Sequence, residues 1–580
     1  MPASTSAPDT TGRSRRALPI ALALLAVSVR LVHLQIAADT ALFSLHRTFP
    51  ESDMYMFDQW ARHIAAGDWL GRDVYHPLFQ WQLAVAPAAT WQRQYGASAV
   101  FFKAPFYAYL IALLHRFGEP MLPLALLQIL ASAASVVLLF LITARLFGET
   151  AATAAGLLLA LYGPDVHYSI AMLRGPWITL VSLAVTWQLL RLRERPSAGR
   201  AFGLGIAVAC ALLVNEGFLP LPLLVLAAAA ATLGRATLPL AGPLLSGFGV
   251  GVCPIVIHNV WVHAPWAALA ANASLVYAIC NSAGSSPFFF EIHPAAFLPT
   301  NDPDGRLLPT VLACLRSFEG PLPVAAFYLD RAAGLLVPFE NPDNVNFYYA
   351  ALKDPLLAVL PSYAMVLPLA IVGLALERQQ WRRLIPLLPA SLSLLSSILL
   401  TLPLSRYRSV LAVYLMPFAG VALAQGWAWA ARRQVRPLLA AAAAILLIWA
   451  GSLLIQKEVV FGGRDVRAWM YRSPEFLLGI RFQADQRRFA AAAAEALALA
   501  SRHPDPGVKA SALVTAAGFQ AARGDGAGAR ESLAAALRLQ ANDPALLIAA
   551  GDLYAGPLAD AAAAKECYRR AAALRPRSIE

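Results

Sequence analysis

LPIALALLAVSVRLVHLQIAA, residues 18–38, is an apolar run of bilayer length, and runs of the same character recur down the chain. A hydrocarbon core about 30 Å thick is crossed by about 20 apolar residues in an α-helix. Inside lipid every backbone polar group must be satisfied within the segment, which leaves helices as the economical solution. With 58% hydrophobic residues and a mean hydropathy of +0.57, the composition predicts an all-α, polytopic membrane protein. The formal charge of +12 does not point to nucleic acid, because the basic residues form no stripe. They cluster beside apolar runs, at Arg13/Arg15/Arg16, Arg191/Arg193/Arg195/Arg200, Arg378/Arg382/Arg383 and Arg432/Arg433/Arg436. That distribution sets membrane orientation.

Taking each basic cluster as cytoplasmic threads about eleven spans through the bilayer. Residues 1–16 become a cytoplasmic tail and 17–456 the transmembrane domain, with outer loops at 39–120 and 263–354. An odd number of crossings puts the remainder, 457–580, outside the cytoplasm. In that region the composition turns Ala-, Arg- and Asp-rich. Two stretches match in phase there: 517–544, opening on Ala517-Gly518, and 550–576, opening on Ala550-Gly551. Their repeat length is close to the 34-residue period of paired tetratricopeptide helices, and a half-unit at 489–500 precedes them. The five cysteines show no metal-ligand spacing; a pair across the outer loop, Cys280 with Cys314, is one reading, and small buried side chains are the other.

The first span delivers PESDMYMFDQWARHIAAGDWLGRDVYHP, residues 50–77, to the outer face. In a chain with only 14% charged residues it holds Glu51, Asp53, Asp58, Asp68 and Asp73. Carboxylates beside a membrane are costly unless solvated or used. Most of these acids read as fixing two interfacial helices, 54–66 and 101–117, with Asp68 capping the turn in GDWLG. Asp53 stands apart, just past Pro50, where the chain leaves the span and turns back to the bilayer surface. A carboxylate there can act as a general base toward a polar acceptor while a lipid-linked donor lies in the membrane.

Other outer-face residues join it by topology. Asp165 and His167 follow LYGP at a span end. Arg406 and Arg408 flank Tyr407 in SRYR, against the positive-inside trend. Guanidinium suits phosphate, through paired hydrogen bonds and a charge that does not titrate away; headgroup snorkelling is the competing role. Lys103, in FFKAPFY, is a further outer cation. Glu340, Asn344 and Tyr348 lie in FENPDNVNFYY, residues 339–349, whose aromatic, amide and carboxylate content suits a sugar. No Walker loop, HExxH, GxSxG or dinucleotide fingerprint occurs.

Taken together and in order, SDMYMFDQWARHIAAGDWLG, FFKAPFYAYLIALLHRFG, ENPDNVNFYY, SRYRSVLAVYLMPFAG and the terminal repeats resemble the GT-C membrane glycosyltransferases. The likeness is to the bacterial relatives of protein O-mannosyltransferases and aminoarabinose transferases that carry tetratricopeptide repeats. The resemblance implies a polyprenyl-phosphate-linked sugar donor and an envelope glycan, lipid or protein as acceptor. It implies an active site and C-terminal domain on the periplasmic side of the bacterial inner membrane, with the repeats as the site for any protein partner. It makes Asp53 the general base and Asp165 the nearest second acid, although HYSIAMLRGP follows Asp165 where the family has a cleaner acidic motif. It places Arg406 or Arg408 at the lipid phosphate. It makes no cofactor certain beyond the lipid-linked sugar donor, and it leaves a divalent metal open, with no ligand cluster indicating one. A non-enzymatic scaffold gathering envelope proteins through its repeats is the alternative class, and a lipid or polysaccharide transporter a third, with Glu216 as its only polar support.

Overall fold

The computed structural model describes residues 10–73, 75–95, 100–292 and 298–574, with side chains from residue 17 onward. The tail expected at 1–16 therefore lies outside the described residues, apart from a helical backbone that begins at Thr10. Helices joined by loops make up the described chain, and no strand occurs among the described residues. Six helical stretches are long and apolar enough to cross a membrane: Ala17–Ala37, Met121–Phe147, Glu216–Trp261, Pro355–Leu400, Ser405–Ala431 and Val435–Val460. This is a multi-pass membrane architecture.

The difference from eleven expected crossings has a physical origin. Glu216–Trp261 and Pro355–Leu400 are 46 residues each, about twice one crossing, and each breaks internally, the first at Gly234–Thr237 and the second around Arg378–Gln380. Glu149–Leu161 and Ala198–Val214 are apolar helices of 13 and 17 residues, too short to qualify by length.

The chain divides into two compact units. The first comprises residues 1–36, 45–344 and 354–462; the second comprises 37–44, 345–353 and 463–580.

In the first unit, small residues let helix backbones touch. A Cβ added to Gly205 would meet the Leu244 carbonyl, and one added to Gly247 the Phe202 carbonyl, across the Ala198–Val214 and Leu238–Trp261 pair. Gly373 against Phe418 and Gly420 against Ala151 repeat the device. Association in lipid lacks a hydrophobic driving force between helices, so close backbone packing takes its place. All five cysteines are free, so Cys280 and Cys314 are not paired. Both are buried; the Cys280 carbonyl accepts from Arg331, while Cys314 lies on the buried side of the Leu307–Arg316 helix.

The second unit is built of helix pairs: Ser473–Asp485 with Phe489–Arg502, Pro506–Ala522 with Gly526–Leu539, and Pro544–Ala555 with Ala561–Leu574. Asp505-Pro506 and Asp543-Pro544 start two of these helices. Each aspartate accepts from backbone N–H groups of the first turn, and the proline occupies a position whose N–H would have no helical partner. Gly551 leaves room for the Tyr568 ring, so the last two helices approach closely.

Candidate active site

Within residues 39–120 two helices, Asp53–Ala65 and Phe106–His115, pack against each other. Ser52 caps the first, its hydroxyl accepting from the Tyr55 N–H at 3.1 Å, which sets Asp53 in the first turn. A carboxylate is favoured there by the helix dipole. Asp58 is fully buried and bonds Arg62 at 2.7 Å and His115 at 2.9 Å, tying the two helices together. Asp68 accepts from the Arg72 and Asp73 N–H groups at 2.8 and 3.0 Å and closes the following turn.

Asp53 meets both a lysine and an arginine from other parts of the chain. Lys103 Nζ lies 2.5 Å from Oδ1, and Arg406 pairs with Oδ2. The Asp53 N–H donates to Asn344 Oδ1 at 2.5 Å, and Asn344 Nδ2 faces Asp53 Oδ2 at 3.4 Å. Arg406 Nε also lies 2.7 Å from Asp343 Oδ2, and the Asn344 amide donates to the same oxygen at 2.8 Å. The side chain of Asp53 is 15% exposed, so the carboxylate is sheltered yet reachable. Burial by itself would raise Asp53, but Lys103 and Arg406 outweigh it and hold the carboxyl well below the usual range. Burial pushes Lys103 down, with Asp53 opposing the shift.

A third cation completes the cluster. Arg174 forms a two-pronged pair with Glu216 at 2.7 and 3.2 Å. The same glutamate accepts from the Ala104 N–H at 3.3 Å, next to Lys103. Phe57, one helical turn beyond Asp53, has Lys103 at 5.7 Å and Arg174 at 5.6 Å from its ring centre. Its negative ring face suits two converging cations. The signal for Arg174 was legible: like Arg406, it is an arginine in a segment that the threading of the spans expects on the outer face, against the charge trend.

The remaining expected residues lie elsewhere in the network. Arg408 is buried, with its donors on the Gly334, Val337 and Phe339 carbonyls and on Glu340. Glu340 in turn accepts from Ser405 at 2.6 Å and from the Tyr363 N–H at 3.1 Å. These two residues hold the 334–340 backbone against the start of the Ser405–Ala431 helix and do not face Asp53. Asp165 pairs with Arg30 of the first span at 2.5 Å, while Arg30 also donates to the Leu159 and Ala160 carbonyls. Beside it His33 bonds Asp354 at 2.6 Å and meets the His167 ring edge-on at 5.7 Å. Burial pushes His167 down to about 3, so it is neutral at pH 7. Asp165 and His167 thus belong to a buried polar cluster around the first span, separate from the partners of Asp53. Phe339 and Phe347 are buried, Phe339 against Phe461, so these rings present no open face for a sugar. Tyr348 falls in the second unit. Among the described residues, no group of three His, Cys, Asp or Glu is placed to hold a metal ion.

Residues 102–261 match the dolichyl-phosphate-mannose-protein mannosyltransferase family. The matched segment contains Lys103, Asp165, His167, Arg174 and Glu216; Asp53 and Arg406 lie outside it. The match agrees with the resemblance to membrane glycosyltransferases carried by the motifs. No curated protein matches the sequence. Among solved structures, the chain is similar to the apo oligosaccharyltransferase of Archaeoglobus fulgidus, with 12% identity and a TM-score of 0.41. That likeness covers 81% of this chain and 56% of the other, so this chain spans little more than half the length of that relative. It is also similar to ArnT of Cupriavidus metallidurans bound to undecaprenyl phosphate, with 15% identity, a TM-score of 0.38, and coverage of 97% and 77%. A further structure, the Archaeoglobus fulgidus oligosaccharyltransferase AglB with an inhibitory peptide and a dolichol-phosphate, has 14% identity and a TM-score of 0.38, with coverage of 82% and 58%.

Proposed function

We propose that this chain is an integral membrane glycosyltransferase that moves a sugar from a polyprenyl phosphate to an acceptor at the outer face of the bacterial inner membrane. The observation that carries the reading is a half-sheltered Asp53 carboxylate clasped by Lys103 and Arg406, with Arg174 nearby. A carboxylate so clasped is a weak base, since its proton affinity is suppressed. A phosphate competes for the same cations, and guanidinium holds it through paired hydrogen bonds. Donor binding would therefore draw Arg406 and Lys103 toward the phosphate and release Asp53 to accept the acceptor's proton. As the bond from the anomeric carbon to the phosphate oxygen breaks, the same cations meet the charge that grows on the leaving phosphate. One displacement without a covalent intermediate inverts the anomeric centre. Asp343 and Asn344 would keep Arg406 and Asp53 in register during the exchange.

The test is Asp53→Asn, which keeps shape and removes the base. Transfer from a radiolabelled polyprenyl-phosphate sugar pool should fall about 10²–10⁴-fold, with helix content preserved by circular dichroism. Near-normal turnover would remove Asp53 from the reaction. A protein partner on the C-terminal helix pairs, taken as tetratricopeptide-like, is compatible with this reading and is tested by deleting 506–580 and measuring which envelope acceptor loses its sugar.

A further inference from the structure

The helix that follows Arg174 ends at a second polar cavity. Gly175–Glu194 is 20 residues long, so about 30 Å of helix separates Arg174 from that end. Three helix C-termini meet there, those of Met121–Phe147, Gly175–Glu194 and Tyr363–Glu377, with the short Trp381–Leu384 helix beyond the last. All belong to the first unit. They line a cavity of about 520 Å³ with Arg145, Arg193, Arg383, Glu194 and Glu377, while Phe147 and Leu190 give it an apolar wall. That volume is in the range of small-molecule sites. One ion pair forms within the lining: Arg145 Nε faces Glu194 at 3.5 Å. Arg145 also lies over the Trp187 ring at 3.9 Å. Arg193 donates to a backbone carbonyl, that of Arg382, at 3.4 Å. Among the described residues Arg383 and Glu377 form no ion pair, although both line the cavity, and the buried Glu377 Oε2 has no hydrogen-bond partner. Arginines at helix C-termini have an ordinary role, offsetting the dipole and snorkelling to headgroups. That role accounts for the cations and leaves the buried carboxylate oxygen unmatched, which is costly.

We propose that this cavity binds a phosphodiester that carries a primary ammonium group, the headgroup chemistry of phosphatidylethanolamine. Arg193 and Arg383 hold the phosphodiester, whose single negative charge suits guanidinium donors. The ammonium donates to Glu377, the acceptor that no protein donor reaches. A purely anionic ligand would satisfy the arginines and be repelled by Glu377, whereas a zwitterion satisfies both. The apolar wall and the position at helix ends, beside the basic clusters that the sequence marks as cytoplasmic, favour a lipid as the source. The proposal stands apart from the reading of Asp53, since none of these residues belongs to that cluster.

The experiment is native mass spectrometry of the full-length chain, delipidated in detergent and titrated with phosphatidylethanolamine, phosphatidylglycerol and phosphatidylcholine of matched acyl chains. Phosphatidylethanolamine should bind about tenfold more tightly than phosphatidylcholine, whose quaternary ammonium has no N–H to donate. Arg383→Gln should weaken phosphatidylethanolamine about tenfold, and Glu377→Gln should remove its advantage over phosphatidylcholine. Arg378→Gln, at an exposed arginine outside the lining, should behave as wild type. Glycerophosphoethanolamine, the same headgroup without acyl chains, separates the two sources. Displacement of the lipid by an equal concentration assigns the site to the free headgroup, and failure to displace assigns it to the lipid. An equal loss in Arg378→Gln and Arg383→Gln would overturn the proposal, because it would mark a diffuse basic surface. Tighter binding of phosphatidylglycerol, or displacement by inorganic phosphate, would also overturn it, because either would show an anion site with no use for Glu377.

Discussion

Asp53 differs from Asp58 in the kind of cation that meets it, a lysine and an arginine that both come from other segments. Asp58 is met by Arg62, four residues on in the same helix, and by His115 on the packed helix. Asp53 is met by Lys103 and Arg406, fifty and more than three hundred residues away. The pH consequence can be worked out from the direction of the shift. An unfolded aspartate titrates at about 3.9, and the folded one lies well below that. Above about pH 4 both states are ionised, and the stabilisation from the clasp is fully present. As pH falls below that value the unfolded chain binds the proton first, and the stabilisation is lost. Thermal unfolding in detergent from pH 7 to pH 3 should therefore show wild type losing midpoint temperature more steeply than Asp53→Asn. Parallel curves would mean that Asp53 is not clasped in the free protein. Arg408 teaches the opposite lesson at the same scale. Two arginines separated by one residue in SRYR had equal claims on a phosphate, and only their directions distinguish them, since Arg408 spends its donors on backbone carbonyls.

At the scale of elements, the helix crossings depend on glycine where backbones touch. Gly205 and Gly247 each face a carbonyl of the opposite helix, not a flexible side chain. A backbone atom cannot move aside by changing rotamer, so a larger residue must push the helices apart. Gly247→Leu should cost about 1–3 kcal/mol and lower the unfolding midpoint, and Gly249→Leu, where a Cβ meets open space, should not. Equal loss in both variants would point to helix propensity instead of packing. Turn chemistry was readable at Asp68 in GDWLG, a local device. The packing glycines were not readable, because glycine is common in membrane helices whether or not it meets a neighbour.

At the scale of the whole molecule, topology follows from where the arginines collect. Cysteine placed at exposed Glu51, in a cysteine-free background, should react with a membrane-impermeant maleimide in intact spheroplasts, and cysteine at exposed Gln379 should react only after permeabilisation. Labelling of both in intact cells would break the orientation on which the outer-face site depends. Fold class, membrane character and the identity of Asp53 and Arg406 as candidates all came from one-dimensional signals: run length, charge asymmetry, and acids where a membrane protein has few. Those signals work because solvation acts on each segment separately. Which acid meets which cation is different, since Asp53 with Arg406, Asp165 with Arg30 and Glu216 with Arg174 are pairings between segments. So is the pairing of Lys353 with Glu495. Charge pairing depends on a few ångströms of separation, and nothing along the chain specifies that distance; only the folded packing of the helices does.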